Sequence, residues 1–298
     1  LSRSTNVQPK NESIPLNFSI PLKASPANLN GRVLRIATWN VASLATRMKK
    51  GFKIYFPRED ADIWILTETK TASPTMEPTI TTRYPYRYFS INAKKSGYAG
   101  VAVFSRLKPV SKPSHVIPAP YHPDPESTRG RIVTLEFEDF WLVGTYVVNA
   151  GENLKFMDNK LVWMRSFEAY IRQLDKSKPV IWGGDVNIAP TALDIAEASK
   201  RWNKRPGYTE QELKAWNSLV GGAQDGSHKL IDVWRNLHPE LQHYSFWDYR
   251  TRQRSTGLGW RLDMFLLSDR IAGQTRACEI RDEIYTSDHC PVVLDVEL

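Results

Sequence analysis

The feature that most constrains this chain is a succession of short apolar, β-branched runs that begins at Val33 and continues to the C-terminus: "VLRIATWN", "DIWILTE", "GVAVFSR", "RIVTLEFE", "FWLVGTYVV", "PVIWGGD", "DMFLLS" and "PVVLDVEL". Each has the length of a strand, and several are apolar at nearly every position, the pattern of strands covered on both faces. Helical periods lie between some of them. The clearest sets Met157, Leu161, Met164, Phe167, Ile171 and Leu174 at spacings of three and four and closes at "KP". A second opens at "TEQE", where Thr209 and Glu212 fit a capping box ahead of Leu213, Trp216 and Leu219. Several strands follow one another directly, as hairpins and meanders do, so the pattern predicts an α/β layered sandwich rather than a βαβ barrel. No interior linker, low-complexity block or 20-to-50-residue repeat interrupts it. The expectation is one domain over residues 32–298, preceded by a polar stretch, residues 1–31, expected to be a mobile arm.

Composition narrows the class. With 298 residues, 41% of them hydrophobic, the chain can bury a sizeable core. No apolar run approaches the roughly 20 residues that span a bilayer, and no charged-then-apolar leader opens the sequence, which argues against a membrane protein. The two cysteines, Cys278 and Cys290, are too few for a disulfide framework or a four-cysteine zinc site and favour an intracellular address. Forty Lys and Arg against 32 Asp and Glu give a formal charge of +8 and a pI near 9.4, which suits a polyanionic partner without specifying one.

The chemistry is expected where strands end, because loops carried on a rigid sheet hold most functional residues. The runs end in a consistent set of polar groups: Asn40 in "IATWN", Glu68 in "ILTE", Tyr146 and Asn149 in "TYVVNAG", Asp185 and Asn187 in "GGDVN", Asp263 in "WRLD", and Asp288 and His289 in "TSDHC". Singly, each has an ordinary explanation as a turn, cap or structural residue. Glu68 and Asp263 are harder to dismiss, since a carboxylate at the end of an apolar strand requires a cation or donors. Together they supply what hydrolysis of a phosphodiester requires: hard oxygens for a cation such as Mg²⁺, a base for water, and a donor to the phosphoryl oxygens. On this reading Asp185 and Asn187 position and activate water, while His289, held by Asp263, donates to the phosphate.

In this order, "TWNVASL", "ILTETK", "GYAGVAVFSR", "TYVVNAG", "GGDVNIAP", "GWRLDMFLLS" and "TSDHCPVVLDVEL" resemble the exonuclease III type of apurinic/apyrimidinic (AP) endonuclease, from about residue 33 to the C-terminus. The resemblance implies a four-layer αββα sandwich of the DNase I-like kind and a Mg²⁺-dependent site, with Mn²⁺ as a substitute. It implies cleavage of double-stranded DNA on the 5′ side of an abasic site, leaving a 3′-hydroxyl and a 5′-deoxyribose phosphate. One such site also serves 3′-end cleaning and 3′-to-5′ exonuclease action, and the sequence does not rank the three. By similarity Glu68 is the metal ligand with Asp288 nearby, and Tyr146, Asn149 and Asn40 surround the phosphate. The repair role implies a nuclear address, with the mitochondrion second, and a monomer. Two departures stand out. Ala42 replaces the family's usual Asp or Asn, predicting weaker metal binding, and Glu152 replaces the basic residue that some animal members insert into the duplex.

The stretch from Arg250 to Arg261, with Arg252 and Arg254 between them and no acid, is expected to neutralise phosphates. Phe246, Trp260 and Leu262 match the family's apolar pocket for a flipped abasic sugar; without the resemblance they read as core. Tyr98 and Lys50 match positions that touch the DNA backbone. Two other readings remain: another phosphodiesterase or phosphatase of the superfamily, acting on intact DNA or an inositol phosphate, and a DNA-binding protein on a degenerate nuclease scaffold. Preference for abasic over intact duplex separates the first from the repair enzyme, and tight binding without metal-dependent turnover marks the second.

Overall fold

A computed structural model describes residues 19–25, 31–72, 76–92, 95, 97–224, 226–251 and 253–298. Eleven strands are built from it: β1 (Val33–Asn40), β2 (Ile63–Thr67), β3 (Tyr86–Ser90), β4 (Val101–Ser105), β5 (Ile132–Glu136), β6 (Trp141–Tyr146), β7 (Val180–Asp185), β8 (Leu230–Asp232), β9 (Asp263–Ser268), β10 (Thr275–Ile280) and β11 (Val292–Glu297). They form a six-stranded sheet in the order β10-β11-β1-β2-β4-β3 and a five-stranded sheet in the order β5-β6-β7-β9-β8.

Strand alternation explains why the runs are apolar throughout. In β2, Ile63 and Ile65 join the core between the sheets with Leu142, Ile181 and Phe265. Trp64 and Leu66, on the opposite face, pack outward against Phe52, Tyr55 and Phe56 of the helix Phe52–Glu59. In β7, Ile181 faces inward while Val180 and Trp182 pack on Trp163, Met164 and Phe167 of the helix Met157–Asp175. Both faces of the central strands are therefore dry, and the result is the αββα sandwich. Gly183 allows the sheets to approach: a Cβ there would lie 2.5 Å from the Phe265 ring and 3.0 Å from Ile65.

The topology gathers the chemistry at one edge. β1 runs parallel to β2 with Asn40 opposite Thr67, and β6 parallel to β7 with Tyr146 opposite Asp185. β9 is antiparallel to β7, which sets its first residue, Asp263, opposite Asp185. Strands ending in Asn40, Tyr146 and Asp185 and strands entered through Asp263 and His289 thus open on the same side of the sandwich.

Within the expected arm, residues 19–25 lie against the other edge: Lys23 pairs with Asp62 at 2.7 Å, the Ala24 N–H donates to Asp295, and the Pro21 carbonyl accepts from Arg35. The rest of that stretch, apart from Gly31, lies outside the described residues.

Candidate active site

Asp185 is the centre of the cluster. The backbone turns sharply at its strand end, where Gly184 has φ +139° and a Cβ would sit 2.0 Å from the Thr145 carbonyl oxygen, so the second glycine of "GGDVN" is required sterically. The buried Asp185 carboxylate accepts from the Asn187 N–H at 2.9 Å on Oδ1 and from Asn40 Nδ2 at 2.9 Å on Oδ2. The same Asn40 amide reaches Glu68 Oε1 at 3.1 Å.

Asn187 adopts a left-handed φ of +54°. Both ends of its carboxamide are engaged: Oδ1 accepts from Asn149 Nδ2 at 2.9 Å and Nδ2 donates to the Val147 carbonyl at 2.9 Å. One acceptor lone pair on Oδ1 is left for a further donor.

His289 is buried with Nδ1 2.7 Å from Asp263 Oδ2, and its Nε2 lies 3.9 Å from Asp185 Oδ2. Ser245 fixes Asp263 by donating its hydroxyl at 2.7 Å and accepting both the Leu262 and Asp263 N–H groups at 3.0 Å. Burial pulls the imidazolium down, but the charge and hydrogen bond of Asp263, with Asp185 and Asp288 adding, outweigh it and lift His289 to about 10. Burial pushes Asp185 up, and although His289 opposes this, its value reaches about 7. The pair is thus a carboxyl that titrates near neutrality facing a held cation.

Glu68 sits just past β2 with φ +51°. Burial raises its carboxyl, but Lys70, whose ammonium lies 2.6 Å from Oε2, and Asn40 hold it below the ordinary value. Burial and the charges of Glu68 and Asp185 push the Tyr146 phenol up, while the Arg131 guanidinium lies 5.1 Å from its ring. Ala42 also lies in the left-handed region, φ +51°, with its N–H bound to Asn40 Oδ1 at 3.0 Å. That conformation favours Asn or Asp, the residues expected there, and disfavours Ala.

Phe246 lies over the His289 ring, centroids 4.7 Å apart, and bridges to Trp260. Trp260 and Leu262 pack with Ala189, Ile195 and Tyr208 into an apolar floor beside the cluster. Tyr98 is exposed and accepts from Arg131 at 2.9 Å, one residue contact from Tyr146. Lys50 caps the short helix Leu44–Lys49. Asp288, half-buried, accepts from the Ser287 hydroxyl at 3.1 Å.

The basic stretch divides. Arg250 is 92% exposed in its side chain. Arg254 stacks on the Trp247 ring at 4.3 Å and binds the Asp282 carbonyl. Arg252 lies outside the described residues. Arg261 does not face solvent at all. Its fully buried guanidinium is taken by Asp194 at 2.7 Å and Asp232 at 2.6 Å, so it neutralises protein carboxylates rather than phosphates. The sequence showed no acid within the stretch, but its partners come from 29 and 67 residues away.

Lys160 was missed. Its buried ammonium donates to the Asn187 carbonyl at 2.7 Å and to Glu212 at 2.6 Å, bracing the loop of Asn187 from behind. A signal existed, since Lys160 falls on the apolar stripe between Met157 and Met164, where a charge is out of place.

A DNase I-like sandwich with carboxylates, amide donors and a carboxylate-held histidine converging at one edge defines the class of a phosphoesterase. The profile of the Endonuclease/Exonuclease/phosphatase family matches residues 37–289, and the chain belongs to that family. It is 34% identical over 264 residues to the DNA repair nuclease APEX1 of Danio rerio, covering 88% of this chain and 81% of the relative. It is also 34% identical over 262 residues to Recombination repair protein 1 of Drosophila melanogaster, of which it spans 37%. Among solved structures, an AP endonuclease from Archaeoglobus fulgidus superposes with a TM-score of 0.73 at 25% identity, covering 88% of this chain and 98% of that one.

Proposed function

We propose that this chain is an AP endonuclease of DNA base excision repair, which hydrolyses the phosphodiester 5′ to an abasic site in double-stranded DNA. The observation that carries the reading is the buried Asp185–His289–Asp263 cluster set directly against the apolar floor of Phe246, Trp260 and Leu262. Asp185, with a value near neutrality, takes the proton of the attacking water while Asn187 and Asn149 orient that water. His289, kept protonated by Asp263, donates to a non-bridging phosphoryl oxygen, and Asn40 holds Asp185 and Glu68 in register. Tyr146 closes the site beside Glu68. The apolar floor receives the sugar that carries no base, and a normal nucleotide brings a base for which the packed floor leaves less room.

The donor set fits a hard divalent cation. Glu68 Oε2 already faces the Lys70 ammonium at 2.6 Å, so that oxygen is aimed at positive charge, and Glu68 with Asp288 would hold Mg²⁺ or Mn²⁺. When bound, the ion offsets charge that develops on the phosphoryl and leaving oxygens. Asp185, Asp263 and His289 also converge, with ligand atoms within 4.8 Å of one another. The 2.7 Å contact joins His289 to Asp263, however, so we assign that set to proton transfer. Tyr98, Lys50, Arg250 and Arg254 are assigned to the DNA backbone, and we assign the protein to the nucleus, with the mitochondrion second, on the repair role alone.

The test is incision of a duplex carrying one tetrahydrofuran abasic analogue, beside an intact duplex, in Mg²⁺ and in EDTA. The expected result is a single Mg²⁺-dependent cut on the 5′ side of the analogue. Equal cutting of the intact duplex would make this a general nuclease, and binding without cutting at any Mg²⁺ concentration would make it a scaffold.

A further inference from the structure

The loop Lys200–Tyr208 forms the outer wall of the apolar floor, and the sequence reading assigned it no role. Tyr208 packs with Trp260 and Leu262, and the Arg201 guanidinium lies 5.5 Å from the Trp260 ring. Trp202 stands at the rim, 39% exposed, with its ring edge-on to Tyr208 at 5.2 Å. Lys204 and Arg205 beside it are exposed, and no ion pair to either is found among the described residues.

The loop is held firmly. The Asn203 N–H donates to the Tyr208 carbonyl at 3.1 Å, the Lys204 N–H to the Arg201 carbonyl at 3.1 Å, and the Tyr208 N–H to the Arg205 carbonyl at 3.2 Å. Asn203 Oδ1 accepts from the Glu210 N–H at 2.7 Å. Its far end is tied to the catalytic loop through the Ala189 N–H to the Gly207 carbonyl, and Glu212 takes the Gly207 N–H while pairing with Lys160 behind Asn187. The loop thus presents a partly exposed apolar ring, 39% of it in solvent, next to Lys204 and Arg205. It suits a partner that offers flat π-faces joined by phosphates.

We propose that Trp202 is a stacking platform for the nucleobase next to the abasic site, with Lys204 and Arg205 taking the flanking phosphates. The proposal rests on the abasic-DNA reading of the adjoining site. Stacking on this wall keeps the neighbouring base from collapsing into the gap.

The test compares wild type with Trp202→Ala and Trp202→Phe on the tetrahydrofuran duplex, with 2-aminopurine as the neighbouring base. Trp202→Ala is expected to raise KM about tenfold and leave kcat within about twofold, because base stacking is a binding term. Wild type and Trp202→Phe should quench the 2-aminopurine fluorescence on binding in EDTA, and Trp202→Ala should not. Lys204→Gln and Arg205→Gln should each lower the salt slope of binding by about one. A wild-type KM and an unchanged quench in Trp202→Ala would overturn the proposal. If wild type fails to incise abasic DNA the proposed function falls instead, while the quench, which needs no turnover, still decides the role of Trp202.

Discussion

The two edges of the sandwich both bury charge, and they treat it in opposite ways. Where β1 and β2 begin, every acid meets a cation: Arg35 binds Asp295 through two nitrogens at 2.8 and 2.9 Å, Arg281 binds both oxygens of Glu59 at 3.1 Å, and Lys23 binds Asp62. Beyond β9, Asp175 is likewise matched by Arg270 at 3.0 Å and His228 at 2.7 Å. Where the strands end, Asp185 and Asp263 both lie against His289, and among the described residues Asp263 Oδ1 has no hydrogen-bond partner. Burial pulls the Arg35 guanidinium down, yet Asp295 and Glu59 more than restore it. At the strand ends burial instead displaces Asp185 upward, to about 7. The lesson is that buried charge by itself marks neither stability nor catalysis; the balance of partners does.

The comparison can be broken from either side. The largest expected effect is from Asp185→Asn, which should keep the fold and DNA binding while lowering turnover by about three orders of magnitude or more, read by single-turnover incision. Near-normal turnover would remove Asp185 from the mechanism. Asp295→Ala, at the matched edge, should do the reverse. Arg35 keeps Glu59 at 3.4 Å and the Pro21 carbonyl at 3.0 Å, so losing its bidentate partner should cost about 3 kcal/mol, the lower end for a broken buried pair, and the melting temperature should fall by roughly 5–10 °C, with kcat of the folded protein unchanged; an unaltered melting curve would show the network to be idle. A smaller effect is expected at residue 42. Ala42→Asp should tighten apparent Mg²⁺ affinity a few-fold, and an unchanged titration would separate residue 42 from the metal. Ala42→Asn should raise stability by roughly 0.5–1 kcal/mol by relieving the left-handed backbone, measured by urea unfolding.

How much of this was legible in the sequence follows the same division. The central strands were readable because they are dry on both faces and therefore apolar throughout. The strands that escaped, Tyr86–Ser90, Leu230–Asp232 and Thr275–Ile280, are all sheet edges, where one side lacks a strand neighbour and polar residues are tolerated. The converging strand-end residues were legible as a set because each is a polar group at the end of an apolar run. Arg261 was misread because its carboxylate partners are distant in sequence, and Ser245, whose hydroxyl anchors Asp263, carries no signal that distinguishes it from any loop serine. Trp202 was passed over for a related reason: a lone aromatic in a basic loop gains meaning only once Tyr208 and Trp260 are seen behind it.

The central claim is that the unmatched charges at the strand ends perform the chemistry, and the rate of abasic-duplex incision against pH tests it most directly. Asp185 must be ionised to take a proton, so the rate should fall as pH drops through about 7; His289 must be protonated to donate, so it should fall again as pH rises through about 10. Asp263→Asn, which removes the charge that raises His289, should move the alkaline limb to lower pH. A rate that stays flat from pH 5 to 11, or an alkaline limb unmoved in Asp263→Asn, would contradict the account.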